Sequence, residues 1–315
     1  MTGRTLKVAF QMDPMETVKI NGDSTFVLML EAQTRGFELW HYLVDDMSYE
    51  NGEISAFARK VTVRREEGNH FTFHEEKLIN LADMDVIWMR QDPPFDMGYI
   101  TATHLLELLP PSVLVVNNPA EVRNAPEKLF VAKFRDLMPP TLITRRMDVV
   151  RKFRAEHGDI IIKPLYGNGG AGVFHLRPED SNLGSLMELF LANSTEPVMV
   201  QTFLPEVVRG DKRIILVDGE AVGAINRVPA KGEIRSNLVA GGTAVQSTLT
   251  EREQEICERL KPELKKRGLV FVGIDVIGNW LTEINVTSPT GLQAVNRFDG
   301  IKLEATIWDA VEAKL

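Results

Sequence analysis

Three groups of residues in this 315-residue chain have the types and spacing to do chemistry. The first is glycine-rich. Lys163 closes the apolar run Ile160-Ile161-Ile162, and Gly167-Asn168-Gly169-Gly170-Ala171-Gly172 follows shortly after. Backbone N–H groups in such a loop can fold around phosphate, and a lysine at the end of the preceding strand adds a point charge. The spelling also satisfies G-x-G-x-x-G. A dinucleotide fingerprint, however, runs from a strand into a helix, whereas Val173 to Leu176 reads as a second strand. That weighs against a nicotinamide oxidoreductase. No G-x-x-x-x-G-K-[ST] occurs, so the chain is not a P-loop protein. Taken alone, the loop is as consistent with a flexible hairpin turn as with a phosphate cover.

The second group is acidic. Residues 271–286 read as one β-hairpin around Gly278-Asn279, with Asp275, Glu283 and Asn285 set among apolar neighbours, where unpaired polar groups are costly. Glu283 and Asn285 are two apart and share a strand face. A carboxylate and an amide oxygen there are hard ligands suited to Mg²⁺. Asp275 joins that face if a three-residue turn pairs it with Glu283; a strict two-residue turn pairs it with Thr282 and points it away. By itself the hairpin reads more readily as a half-exposed acidic surface, and the Lys163 loop upstream shifts the reading toward nucleotide and metal. The third group is basic: Arg213 in Asp211-Lys212-Arg213, Arg227 at the far end of the next strand, and Arg235 in a polar stretch. Single arginines are usually solvated, but guanidinium forks near a phosphate match its oxygens.

Elements to position these groups follow from periodicity. Residues 6–12, 37–44, 84–89 and 113–116 read as strands, with helices over 24–35 and 99–109, the first capped by Asp23 or Ser24 and closed by Gly36. The rhythm predicts an α/β domain with a parallel, doubly wound sheet over roughly the first 120 residues. A helix is expected to begin at Pro126 and run through Phe130. Strands at 160–164 and 173–176, a helix at 183–192, hairpins at Asp218-Gly219 and Gly278-Asn279, and a charged helix over 251–267 predict α+β lobes thereafter. Residues 228–242 are too long for a hairpin turn and are expected to form a lid.

Composition bounds the rest. Net charge is −8, from 36 basic and 44 acidic residues, which argues against a nucleic-acid partner. No apolar run approaches a membrane span, and the N-terminus lacks a signal-peptide pattern. The single cysteine, Cys257, fits a reducing, cytoplasmic setting, and its helical apolar neighbours make it a core thiol. The six histidines show no metal-binding spacing.

In this order the pieces resemble the bacterial glutathione synthetase family of ATP-grasp ligases, over essentially the whole chain. The resemblance rests on Met12-Asp-Pro14, Gly22-Asp-Ser-Thr-Phe26, Arg90-Gln-Asp-Pro-Pro-Phe-Asp96, Glu127-Lys-Leu-Phe130, Lys163-Pro-Leu-Tyr-Gly-Asn-Gly-Gly170, Gly210-Asp-Lys-Arg213, Arg235-Ser-Asn237, Gly241-Gly242, Gly273-Ile-Asp275 and, most specifically, Leu281-Thr-Glu-Ile-Asn-Val-Thr-Ser-Pro-Thr290. It implies an N-terminal domain over 1–124 and two ATP-grasp lobes, 125–201 and 202–315, clamping ATP. It also implies ligation of glycine to γ-glutamylcysteine with release of ADP and phosphate, a Mg²⁺ or Mn²⁺ requirement, and a homo-oligomer. Carried over by position, Lys128, Lys163, Gly167, Asn168, Gly169, Gly170 and Asp211 meet the nucleotide, and Gln201, Thr202, Phe203 and Leu204 form the interlobe hinge at the adenine. Asp275, Glu283 and Asn285 become metal ligands, and Arg213, Arg227 and Arg235 face the reacting groups. Ser288, Pro289, Thr290 and Gly291 line the peptide site. Gln91 and Gln293 stand where some relatives carry Lys and Arg, near where peptide carboxylates are expected.

A carboxylate is a poor acyl donor, and phosphorylation turns it into an acyl phosphate that an amine attacks. Such transfer needs charge neutralisation and positioning more than a protein nucleophile. Competing expectations are a different ATP-grasp ligase, of D-alanine or glutamate ligase type, and a non-catalytic ATP-binding regulator. The second has little use for the full set of arginines and acidic ligands.

Overall fold

The computed structural model describes residues 5–167, 169–236 and 241–315. Among them the chain builds three sheets. In the first, β1 (Lys7–Gln11), β2 (Glu38–Tyr42), β6 (Val86–Met89) and β7 (Leu114–Val116) pair parallel in the order β2-β1-β6-β7. α1 (Ser24–Thr34) and α2 (Met97–Glu107) supply crossovers, capped by Asp23 and Asp96, whose carboxylates accept from the Phe26 and Tyr99 N–H groups at 2.7 and 3.0 Å. Both lie close to the expected spans.

The sheet is not wholly parallel, however. β3 (Met47–Glu50), β4 (Glu53–Val63) and β5 (Phe71–Asn80) extend its β2 edge in antiparallel fashion. Asn51 and Gly52, both at positive φ, make the tight turn between β3 and β4, which leaves no length for a crossover. That Asn-Gly pair was the readable sign of the hairpin.

A four-stranded antiparallel sheet, β10-β9-β11-β8, follows: β8 (Thr141–Thr144), β9 (Ile160–Pro164), β10 (Phe174–Leu176) and β11 (Val198–Thr202). α4 (Met147–His157) and α5 (Leu183–Asn193) cover it, counting α3 as Pro119–Arg123. The third sheet, β14-β13-β12-β15-β16, joins β12 (Asp211–Val217), β13 (Glu220–Val228), β14 (Thr243–Gln246), β15 (Phe271–Ile277) and β16 (Trp280–Asn285). α6 (Glu251–Lys266) opens with a Thr250/Glu253 capping box. Cys257 is buried on it, and burial pushes its thiol up to about 12.

Packing divides the chain unevenly. Ile214 and Leu216 of β12 enter one core with Trp40, Ile87 and Met89, while Ile215 and Val217 enter another with Phe10, Phe26 and Trp88. Both faces of the third sheet are therefore buried, and both cores are shared with the N-terminal sheet. The middle sheet keeps its own core, built from Val150, Ile160, Ile162, Leu176, Leu183, Leu186, Met187, Val198 and Val200.

The expected helix over Pro126–Phe130 is replaced by a turn leading into a short 3-10 helix, Phe130–Phe134. The cause is tertiary. The Glu127 carbonyl accepts from Ile284 N–H at 2.9 Å and the Leu137 carbonyl from Leu281 N–H at 2.8 Å, so this segment caps the open edge of β16 and keeps only one helical bond of its own over 126–130, from Phe130 N–H to the Pro126 carbonyl at 2.8 Å.

Candidate active site

All three sequence groups open onto one cavity of about 310 Å³ between the second and third sheets. The acidic hairpin is the clearest case of local structure serving the site. Its turn is the strict two-residue one, with Ile277 opposite Trp280, yet Asp275 still pairs with Glu283. A register shift on β16 between these pairs supplies the extra residue, Thr282, whose hydroxyl donates to the Asp275 carbonyl at 3.1 Å. Asp275 and Glu283 consequently face the same side, with Asn285 two residues on.

Asp275 is buried and paired twice over. Arg213 grips it through Nε and Nη2, the latter at 2.9 Å, and the Arg227 Nη2 lies 3.0 Å away. Burial would raise this carboxyl, but the two guanidinium groups overcome it and hold it well below the usual carboxylate range. Arg227 also binds Asp211 at 2.6 Å, and Arg213 donates from Nη1 to the Thr290 carbonyl at 3.2 Å. Burial lifts Asp211 to about 6 despite Arg227, with Asp275 and Glu283 adding repulsion.

Lys163 approaches from β9 on the opposite wall, and Lys128 from the segment that caps β16. The Lys128 ammonium contacts the Glu127 carboxylate and the Gly167 carbonyl, and lies 3.6 Å from Glu283. Lys163 is 7% exposed. Its ammonium has no hydrogen-bond acceptor among the described residues, and burial depresses its pKa against the pull of Glu283. Glu127 was not singled out in sequence. Burial and Glu283 push it up to about 7, and only its position beside Lys128 marked it.

The glycine loop joins antiparallel strands β9 and β10, as the strand after it predicted. Gly167, Gly169 and Gly170 line the cavity; Asn168 lies outside the described residues. A Cβ at Gly167 would meet Pro164 Cγ at 2.8 Å, so this glycine is required by close approach. Gln201, Thr202, Phe203 and Leu204 line the same cavity, and the Gln201 amide donates to Thr141 Oγ1 at 2.9 Å.

Ser288, Pro289, Thr290 and Gly291 form the remaining wall, clamped to the N-terminal domain. Ser288 Oγ donates to Asp92 at 2.8 Å, and Arg90 donates to the Pro289 carbonyl at 3.1 Å. Sequence reading missed the Arg90 and Asp92 clamp, since its partners lie far along the chain. Arg235 lines the cavity at a more exposed position, paired with Glu233 at 2.6 Å, and Ser236 reaches Asp211 at 3.2 Å. Residues 237–240 of the expected lid lie outside the described residues. Gln91 and Gln293 do not line this cavity. Gln91 faces Gln11, and the Gln293 amide donates to the Ile20 and Asp23 carbonyls at 2.9 and 2.6 Å.

Two clamping lobes with converging cations and hard-oxygen acids define an ATP-grasp ligase. The solved structures agree on the fold. D-cycloserine synthetase DcsG superposes with a TM-score of 0.67 at 15% identity, over 97% of this chain and 99% of its own. D-alanyl-alanine synthetase A from Vibrio cholerae gives 0.62 at 13%, over 98% of each. The family models are more specific: the N-terminal domain of prokaryotic glutathione synthetase matches residues 6–123 and its ATP-grasp domain matches 127–300. Curated relatives named glutathione synthetase are 58% identical in Brucella melitensis, over 309 residues, and 56% in Rhodopseudomonas palustris, over 310, each covering 98% of this chain and 99% of the relative. The chain belongs to the prokaryotic glutathione synthetase family. It is an ATP-dependent ligase acting on small molecules with divalent-metal dependence.

Proposed function

We propose that this enzyme joins glycine to the cysteinyl carboxylate of γ-L-glutamyl-L-cysteine, giving glutathione, ADP and phosphate. The observation that carries the reading is the convergence of Lys128, Lys163, Arg213 and Arg227 with Asp275, Glu283 and Asn285 on one cavity. Charge balance of this kind serves phosphoryl transfer, which asks for positioning and neutralisation.

The dipeptide carboxylate oxygen attacks the γ-phosphorus and ADP leaves; the glycine amine then attacks the acyl carbon and phosphate departs. Lys163 and Lys128 hold the nucleotide phosphates, together with the loop at Gly167, Asn168, Gly169 and Gly170, and Asp211 meets the nucleotide from the facing lobe. The hinge Gln201, Thr202, Phe203 and Leu204 receives the base. Arg213, Arg227 and Arg235 neutralise the transferring phosphoryl and the acyl oxygen, while Ser288, Pro289, Thr290 and Gly291 orient the dipeptide. The donor chemistry fits a hard cation: Glu283 lines the cavity with its carboxylate, and the Asn285 oxygen is not engaged by a described residue. Asp275 completes the set once its carboxylate is shared with the arginines that now hold it. Bound there, Mg²⁺ (or Mn²⁺) supplies charge neutralisation at the phosphates. Residues 228–242 close over the intermediate and exclude water.

We read the chain as an N-terminal domain (1–124), a central lobe (125–201) and a C-terminal lobe (202–315). Among the described residues no helix is long and apolar enough to cross a membrane, in keeping with a cytoplasmic enzyme. Phe57 and Leu78, exposed and paired across β4 and β5, offer apolar area to a homo-oligomer. The deciding experiment is ADP release with dipeptide plus glycine against either omitted. Release that does not depend on glycine overturns the proposed reaction.

A further inference from the structure

Behind the hinge stands a side chain that the ligase chemistry does not use. His175 of β10 lies opposite Ile161 of β9, and Ile161 lies opposite Gln201 of β11. Cross-strand partners share a face, so His175, Ile161 and Gln201 form one row on the side that carries the cavity wall, where Ile161 and Gln201 are lining residues. Ile160 and Ile162, on the opposite face, enter the lobe's own core.

From this row His175 stacks flat on Phe203, with centroids 4.0 Å apart and planes 16° from parallel. Asp159 ties both members. Its carboxylate pairs with His175 Nε2 at 2.9 Å, and its backbone carbonyl accepts from Phe203 N–H at 2.9 Å. One residue thus holds both the backbone of Phe203 and the imidazole stacked on its ring. Phe203 is itself a wall of the cavity. A ring free to rotate there would leave the base end of the cleft undefined, and a ring backed by a second flat ring presents a fixed surface.

We propose that His175 is a positioning residue for the nucleotide base, acting through Phe203 with Asp159 as its anchor. The inference rests on the reading of residues 201–204 as the adenine-facing hinge. Its role is affinity for the flat base rather than chemistry. His175 makes no hydrogen bond or ion pair with Lys163, Arg213 or the acidic hairpin; the one polar partner of its ring among the described residues is Asp159.

The test compares wild type, H175A and H175F in Mg²⁺-containing buffer. ATP affinity is measured by calorimetry, and KM and kcat are measured for ATP, dipeptide and glycine. Loss of one aromatic stacking partner corresponds to roughly a 3- to 10-fold weakening. H175A should therefore raise Kd and KM for ATP by about that factor, with kcat at saturating ATP and the KM values for dipeptide and glycine within about twofold of wild type. H175F, which keeps the flat ring and loses the Asp159 bond, should recover most of the affinity. If H175A folds poorly, H175L fills the volume without a flat ring and carries the same expectation. Unchanged ATP affinity in the folded alanine or leucine variant, or a loss that H175F does not restore, overturns the brace. Failure of wild type to bind ATP would instead bring down the hinge reading on which it stands.

Discussion

The two lobes that face each other across the cavity are built on different terms. The C-terminal lobe buries both faces of its sheet under its own helices, in cores that continue into the N-terminal domain. The central lobe carries a small private core, roofed by α4 and α5, and meets the N-terminal domain through contacts such as the Phe95–Tyr166 stack at 6.1 Å. The charges on the two facing sheets differ in the same way. Arg213, Arg227, Asp211 and Asp275 lock one another in the shared-core lobe, whereas the central lobe brings Lys163, whose ammonium is unpaired among the described residues. An enzyme that must hold a hydrolysable intermediate benefits from this asymmetry. A fixed half preorganises charge, and a half with an independent core can open and close without unfolding its neighbour.

The comparison can be broken most forcefully at Asp275. Asp275→Ala leaves two buried arginines without their shared carboxylate and should cost about 3–5 kcal/mol of stability. It should also lower the single transition common to the N-terminal and C-terminal regions, read by thermal unfolding with tryptophan fluorescence. A drop below about 1 kcal/mol would mean that the locked charges are not what holds this lobe.

Glu283→Gln should act on turnover instead. It removes a cation-binding charge from a partly exposed side chain, so the fold should be spared while kcat falls by about 10²- to 10³-fold, equivalent to about 3–4 kcal/mol of transition-state stabilisation. Near-normal turnover at saturating Mg²⁺ would remove Glu283 from the ligand set.

On the other side, Met187→Ala opens a cavity in the private core, where Met187 is fully buried. The expected cost of about 2–4 kcal/mol should fall on the central lobe alone. Native-state hydrogen exchange would show faster opening of β9 and β11 amides with β12 and β15 protection unchanged. Equal loss in both lobes would show them to be one cooperative unit.

The smallest stability effect is expected from the segment over the cleft. Replacing 229–233 with a Gly-Ser linker, which leaves buried Ser236 and its bond to Asp211 in place, should change stability by under about 0.5 kcal/mol and leave ATP affinity intact. More ADP than glutathione should then form, because water reaches the acyl phosphate. A product ratio still at one with wild-type turnover would make residues 228–242 an idle insertion.

Much of this arrangement was legible in the residues. Asp23, offered with Ser24 as the cap of the first helix, does cap it, the strand after Gly172 weighed against a dinucleotide fold, and alternation put Glu283 and Asn285 on one strand face. These are local signals, carried by neighbours a few positions apart, and periodicity reads them. The antiparallel β3–β5 extension belonged to the same class and was overlooked at Asn51-Gly52.

What the chain could not disclose from its order alone was which distant groups would meet. Two turn lengths were compatible with the acidic hairpin, and turn length alone does not set its pairing. The turn is the short one, and an extra residue in β16 restores the pairing of Asp275 with Glu283, while Glu127 and Leu137 take up the edge amides of Ile284 and Leu281. Those partners arrive from a segment more than a hundred residues upstream, the same one whose local preference for a helix they cancel. Asp275 likewise owes its ionised state to Arg213 and Arg227, placed across adjacent strands by the sheet. Local preference decided which residues would be strand, cap or turn. The hydrogen bonds and charges left unsatisfied at element edges decided the register and the pairing, because a buried polar group must find a partner wherever in the chain one lies.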